Sequence, residues 1–473
     1  MTRIHDPQVS FADLEFLRQG IDLDPVLEKI SSFLDTQPKI VEMVRQDLER
    51  GLYKPKTGRK GLTAEQTLRS FILRRVKNWD YRELRERIAD GYTLRKFTRF
   101  WSKPVPKKHD AFSRAFNRFR PETLQAINDL VVRAAVELGL EDGKKLRVDT
   151  TVSETDIHHP TDNTLLWDVV RVVTRLVERL GEKLPKGIPG FTNRTRSARR
   201  RMLEIQRMSD RERHDRQEEK YRELIRITEQ VVGNARQVLE KTKDVQVVDL
   251  LDDIVIEELR RKIKYYCKLG DRVIDQARRR VLNGEQVPAN EKIYSIFETH
   301  TDLIKRGKIQ KPVEFGHKIF LAESARGLIT QYSVLDGNPS DHIHVKPSLE
   351  HHKKIFGFAP DLYSSDRAFF SEENDRDCRE EGVKLVCIPQ RGGKKTPERE
   401  AFEKSSAFKS GQRFRAGIEG RISVLFRGRG MKRCLDEGRA RFELLVGAAV
   451  LANNLMVIAH LLNEREKRQR RAA

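Results

Sequence analysis

Three carboxylates stand out in this chain for where they fall. Asp149 lies in the β-branched run Lys145–Val152, and Asp366 follows the apolar stretch 361–365. Glu419 sits between Gly417 and Gly420, among Arg413, Arg415, Arg421, Arg427 and Arg429. A lone acid in such basic surroundings either pairs with the arginines or does chemistry on something they hold. Carboxylate oxygens are the hard ligands that Mg²⁺ takes, and three that converge can hold two ions roughly 3.5–4 Å apart. Each residue also has a plainer use: Asp149 ends a strand, and Asp366 caps a turn or pairs with a neighbouring cation. Arg415 and Glu419, at i and i+4, form a helix-surface pair contributing about 0.3–0.5 kcal/mol. Asp156, Asp162 and Asp168 are rival acids near Asp149, but Asp149 alone lies within the strand pattern.

The elements that must position these acids follow from hydrophobic spacing. Residues 1–140 read as helical. Thr63 with Gln66 forms a capping box opening a helix over 64–77, and Leu68, Phe71, Ile72 and Val76 recur on one face. Asn78 and Trp79 turn the chain, and Asp80 with Glu83 opens a second helix that stops at Gly91. Two helices with a tight turn suit a helix-turn-helix. The mixed basic and aromatic run after it, with Arg95, Lys96 and Arg99, suits contact with phosphates, although a solvated basic face of a helical bundle has the same composition. Helices introduced by Asp110 and Pro121 follow, and Lys145–Val152 is the first strand.

From 166 to 284 the pattern is helical again, with a loop at Pro185, Gly187, Pro189 and Gly190. Strands are expected over 315–323 and 327–335 as a hairpin, then 361–365 and 384–389, with helices over 344–356 and 372–381 between them. Two helices close the chain, one carrying Glu419 and one over about 440–466, and the charged tail 465–471 is expected to fray.

The chain has 473 residues and 93 Lys+Arg against 71 Asp+Glu, a net charge of +22. That excess points to a polyanionic partner, most simply nucleic acid. Close approach of backbone to such a partner, or to the first strand, would explain Gly417 and Gly420, each of which weakens a helix by roughly 1 kcal/mol relative to Ala. No stretch of eighteen apolar residues without a charge is expected, so no membrane partner and a cytoplasmic protein are. Cys267, Cys378, Cys387 and Cys434 lie far apart and indicate neither zinc nor disulfides. His158, His159, His351 and His352 read as loop or helix-surface residues, and His317 as a packed or phosphate-adjacent one.

With the helical block set aside, the order is strand, strand, strand, helix, strand, helix, strand, helix, helix. That is the order of an α/β RNase H-like domain with a mixed five-stranded sheet, whose first and fourth strands are neighbours beneath a carboxylate-bearing helix. The expected layout is a helical DNA-binding region over 1–140, the catalytic domain over 141–165 and 285–473, and a helical insertion over 166–284.

At its acids the chain resembles the DDE transposases of bacterial insertion sequences, in particular the IS5-like and ISNCY groups. The matching stretches are Val148–Val152 with His159–Asp162, Ser365–Phe369 and Arg415–Ser423. Ser295–Glu298, Glu314–Lys318 and Ala452–Leu455 match as well. The resemblance implies that Asp149, Asp366 and Glu419 hold two Mg²⁺ ions, with Mn²⁺ as a substitute. It also implies cleavage of double-stranded DNA at terminal inverted repeats and transfer of the freed 3′ hydroxyl into target DNA by a homodimer, nucleoid-associated when bound. Arg415 fills the family's arginine, Arg427 is the nearest candidate for its basic residue a helical turn or two beyond Glu419, and both, with Arg367 and Arg421, are expected to bind DNA. The family tyrosine falls at Gln412, a departure. The alternatives are an RNase H-fold nuclease without strand transfer and a catalytically idle DNA-binding derivative.

Overall fold

The computed structural model describes residues 2–3, 10–20, 22–53, 57, 59–185, 187–188, 190–208, 213–243, 245, 250–305 and 312–472, so Pro189 of the expected loop lies outside the described residues. It divides into two compact units, Met1–Glu154 with His317–Ala473, and Thr155–Gly316.

The first unit opens with helices α1 (Phe11–Arg18), α2 (Pro25–Asp35), α3 (Pro38–Glu49), α4 (Ala64–Lys77), α5 (Tyr81–Asp90), α6 (Tyr92–Phe97), α7 (Asp110–Phe116) and α8 (Pro121–Glu137). A two-residue parallel ladder joins β1 (Thr2–Arg3) to β2 (Arg59–Lys60). The capping box of Thr63 and Gln66 forms as its spacing predicts. Asn78 ends α4 in the left-handed conformation at φ 54°, and Asp80 caps α5 by accepting from the amides of Arg82 and Glu83.

Among the described residues the main sheet has seven strands where five were expected. They are β3 (Lys145–Thr155), β4 (Asp302–Lys305), β5 (Val313–Ser324), β6 (Ile329–Val334), β7 (Leu362–Ser364), β8 (Leu385–Cys387) and β9 (Arg433–Cys434). β4 and β9 are the additions, short strands that carry charged residues, which β7 and β8 lack. β5 and β6 form the expected antiparallel hairpin, and β3, β7 and β8 run parallel in that order. The first and fourth expected strands, β3 and β7, thus lie side by side.

Strand alternation sorts the two faces of this sheet. Leu146, Val148, Phe320 and Ala322 pack with residues of α13 (Val345–Phe356) and α14 (Glu372–Glu380). On the other face, Ile319 and Leu321 pack with Ile418 of α16 (Ser406–Ser423) and with Phe442, Val446 and Val450 of α17 (Arg439–Ala472). Helix α15 (Pro397–Lys404), which the sequence reading missed, precedes α16.

Two expectations about the C-terminal helix are overturned. Residues 444–463 contain no Asp, Glu, Lys or Arg. Yet 78% of the apolar stretch of α17 is buried, because the helix is shared by the core beneath β5 and β6 and by that of α2, α4 and α8. The tail does not fray out of the helix. Lys29 pairs with Glu466, and Arg465 donates to the Leu138 carbonyl, so its charges find partners on the N-terminal helices.

The second unit is built from α9 (Asp162–Lys183), α10 (Thr195–Arg207), α11 (Arg213–Lys241) and α12 (Leu250–Ala277). Leu166, Val169, Val173, Leu224, Val231, Ile256 and Ile263 form its apolar seam. β4 pairs antiparallel with the first residues of β5 in this unit. The four cysteines are buried, and burial pushes the Cys267 and Cys387 thiols up to about 11.

Candidate functional site

Arg147 and Asp149 point from β3 to the face that α16 covers, because they alternate with the inward Leu146 and Val148. On β7, Ser364 pairs in register with Arg147 and donates its hydroxyl to the Gly411 carbonyl of α16 at 2.9 Å. Two residues further along each chain stand Asp149 and Asp366. Asp149 lies within β3, and Asp366 follows the end of the neighbouring parallel strand β7.

Helix α16 comes close to these strand ends for identifiable reasons. A side chain at Gly411 would collide with Cys387, so glycine permits the approach to β8. The Gln412 amide donates to the carbonyls of Ser365 and Cys387, at 3.1 and 2.6 Å, fastening the helix to the ends of β7 and β8. The residue that departs from the family tyrosine thus becomes a staple beside Asp366. A side chain at Gly417 would strike the Arg147 guanidinium, whereas Gly420 faces open space. Close approach to the first strand therefore accounts for one of the two glycines flanking Glu419.

The acids differ in their partners. Asp149 is 8% exposed, and its Oδ1 accepts from the Thr150 amide at 2.8 Å. Its Oδ2 accepts from Arg415 Nη2 at 3.0 Å, while Arg415 Nη1 donates to Glu419 Oε1, also at 3.0 Å. One guanidinium thus spans two of the three acids. Glu419 itself is largely exposed, with 65% of its side chain open to solvent. Asp366 caps a short 3₁₀ turn, accepting from the Ala368 amide at 2.8 Å, and has no cationic partner among the described residues.

Among the described residues, no three His, Cys, Asp or Glu side chains are grouped closely enough to hold a metal ion as they stand. The donor chemistry nonetheless suits Mg²⁺. All three acids offer hard oxygen, and the Arg415 guanidinium stands in for a cation between Asp149 and Glu419.

The basic residues singled out in the sequence divide into committed and open ones. Arg421 donates to buried Glu323 at 2.9 Å and to Asn453 at 3.0 Å. Arg95 donates to the carbonyls of Ala89, Trp101 and Lys103, and Arg99 grips both oxygens of Asp35. Lys96 is half-buried, whereas Arg367, Arg413 and Arg427 are exposed.

The sequence reading passed over a buried relay beneath the site. Glu323, fully buried, accepts from Arg147 at 2.7 Å as well as from Arg421, and Arg147 donates to the Phe414 carbonyl at 2.7 Å. Asn454 extends the relay, bonding Asn128 and both the amide and carbonyl of Ile329 at 2.8 Å. An acid directly after the apolar run Ile319–Ala322 was the available signal for Glu323.

The histidines fall differently from expectation in one case. His352 is 1% exposed and stacks on Phe356, so it is a core residue; its helix turns it inward with Leu349 and Ile355, and burial pushes its pKa down to about 4. His317 is packed, edge-on to Phe442 and bonded to Arg439.

No curated protein and no solved structure matches the chain. Residues 15–118, from within α1 to just past α7, match the family model described as Transposase domain (DUF772), which supports placing the protein among the transposases.

Proposed function

We propose that this protein is a DDE transposase resembling the IS5-like and ISNCY groups, cutting DNA at the ends of its element and joining the freed 3′ hydroxyls to target DNA. The match over residues 15–118 supports transposition and a DNA substrate in general. One observation carries the finer reading: Asp149 and Glu419 share one cation, and Asp366 follows β7, the parallel neighbour of the strand that carries Asp149. The strand order β6, β5, β3, β7, β8 supports an RNase H-like catalytic domain.

In this reading Asp149, Asp366 and Glu419 hold two Mg²⁺ ions. Such a site, when loaded, supplies activation of the attacking oxygen and charge at the leaving oxygen of a phosphodiester. The protein's own contribution is placement. β3 and β7 fix the two aspartates, while Gln412 and Arg147 fix the helix that brings Glu419 over them. Arg367, Arg413 and Arg427, exposed near these acids in sequence, are proposed to hold phosphates by charge. Pairing of two element ends calls for two copies, so a homodimer on DNA is proposed as well.

The test is a cleavage and joining assay with Mg²⁺ or Mn²⁺ on DNA bearing the element's ends. Cleavage and joined products are expected from the native chain. Neither is expected after Asp366→Asn with Glu419→Gln, while gel-shift binding persists. Cleavage surviving both substitutions would overturn the site, and cleavage without joined products would make the protein a nuclease.

A further inference from the structure

Arg415 is placed unlike an ordinary surface arginine. Its two terminal nitrogens reach different acids at the same distance, 3.0 Å, one on the helix that carries it and one on β3, 266 residues away in sequence. Only 19% of its side chain is exposed, and its Nε is buried without a hydrogen-bond partner. An arginine fully used for structure tends to engage its planar fork bidentately and satisfy its donors. Here each acid receives a single bond from the arginine and Nε is left over, an arrangement that holds both carboxylates without satisfying the cation.

The two ends of the bridge also differ in strength. The contact to Glu419 is an i,i+4 pair on a helix surface, with the glutamate 65% exposed, and water screens it strongly. The contact to Asp149 is shielded, with 12% of that side chain exposed. The backbone beside Arg415 is held independently, because Arg147 grips the Phe414 carbonyl at 2.7 Å. The arginine side chain can therefore leave without moving the helix.

We infer that Arg415 is a displaceable counter-cation: it neutralises Asp149 and Glu419 while no divalent ion is bound, keeps the pair together, and is expelled when a divalent cation takes its place. The inference rests on the metal-binding reading given above. A guanidinium carries one positive charge and a divalent ion two, so the ion neutralises two carboxylates more fully than the arginine does. A hard divalent cation coordinates carboxylate oxygen, whereas a guanidinium only hydrogen-bonds it. The cost of expelling Arg415 is then part of the apparent metal affinity, and removing the arginine strengthens metal binding. A purely structural arginine predicts the reverse, since its loss would loosen the two acids.

The experiment is a titration of the full chain with Mn²⁺ in the absence of DNA, followed by the loss of the free-ion spin-resonance signal. The native protein is compared with Arg415→Gln, Arg415→Lys and Asp149→Asn, with circular dichroism confirming that each is folded. Arg415→Gln is expected to bind Mn²⁺ about tenfold more tightly than the native chain. Arg415→Lys, a single point charge unable to span both acids, is expected to fall between them. Asp149→Asn is expected to lose the site. Equal or weaker binding by both arginine variants, with Asp149→Asn still abolishing it, would overturn the role of Arg415 and leave the metal site intact. Absence of Mn²⁺ binding in the native chain and in both arginine variants would overturn the metal site and this role together.

Discussion

In Thr155–Gly316 the core is a seam of Leu, Val and Ile from α9, α11 and α12, whereas the sheet-bearing unit runs charged and amide side chains through its interior. Glu323, Arg147, Arg421, Asn453 and Asn454 link β3, β5, α16 and α17 of that unit by hydrogen bonds rather than by apolar contact. An apolar seam gives adhesion without direction, so it suits helices that need only stay together. Buried polar bonds have fixed lengths and angles, and leaving one unmade costs about 1–3 kcal/mol. They therefore suit a unit that must hold two acids and a helix in one geometry. The helical unit has a smaller version of the device, where Asp162 at the start of α9 accepts from Gln276 and Arg280.

Substitutions can break this contrast. The largest effect is expected from Asp149→Asn, which removes an acid of the sheet unit: DNA cleavage should fall to background, with hydrogen exchange of both units unchanged. Next, Arg147→Ala leaves buried Glu323 with Arg421 alone and takes away the hold on Phe414. A loss of about 3–5 kcal/mol is expected, confined to the sheet-bearing unit and read by hydrogen exchange in denaturant. If the helical unit lost protection equally, the polar relay would not be local to the site. Leu224→Ala, at a fully buried position of the helical seam, should cost about 2–5 kcal/mol in that unit. Cleavage per folded molecule should be retained, and loss of catalysis at temperatures where the variant is folded would give the helical unit a part in the chemistry.

The smallest effect is a difference in pH response between the units. Burial pushes His352 of the sheet unit down to about 4, so the folded form resists its protonation. That unit should lose stability as pH falls from about 6.5 toward 4, because the unfolded chain binds the extra proton there. His158 of the helical unit is raised instead, chiefly by its hydrogen bond to Asp168 at 2.7 Å. Its contribution is complete below about pH 6.5 and is lost as pH rises through the elevated value. Unit-resolved hydrogen exchange at pH 5 and pH 8, corrected for intrinsic rates, should show shifts of opposite sign, and His352→Leu should remove the acid-side loss.

Helix limits, strand alternation and the three acids were legible from residue types and spacing. The box of Thr63 and Gln66, the hairpin of β5 and β6, and the position of Asp149 within β3 all express local rules that need only near neighbours along the chain. Short or one-sided elements escaped. β4 and β9 carry Asp302, Lys305 and Arg433 where an apolar run would mark a strand, and α15 has no fully buried residue. His352 was misread because two adjacent histidines on a helix look alike in sequence, yet one faces Leu349 and Ile355 and the other does not.

What the sequence by itself determined is which residues can do chemistry and which element carries each, since hydrogen bonding and hydrophobic period act over a few residues. What only the tertiary structure decided is how they are used. Arg415 bridges Asp149 to Glu419, Gln412 staples α16 to the strand ends, and Arg421 is taken up by Glu323 and Asn453. Those partners lie tens to hundreds of residues apart and meet only when parallel pairing of β3 with β7 sets the face that α16 covers. Charge and reach are properties of a side chain, but its partner is chosen by the fold.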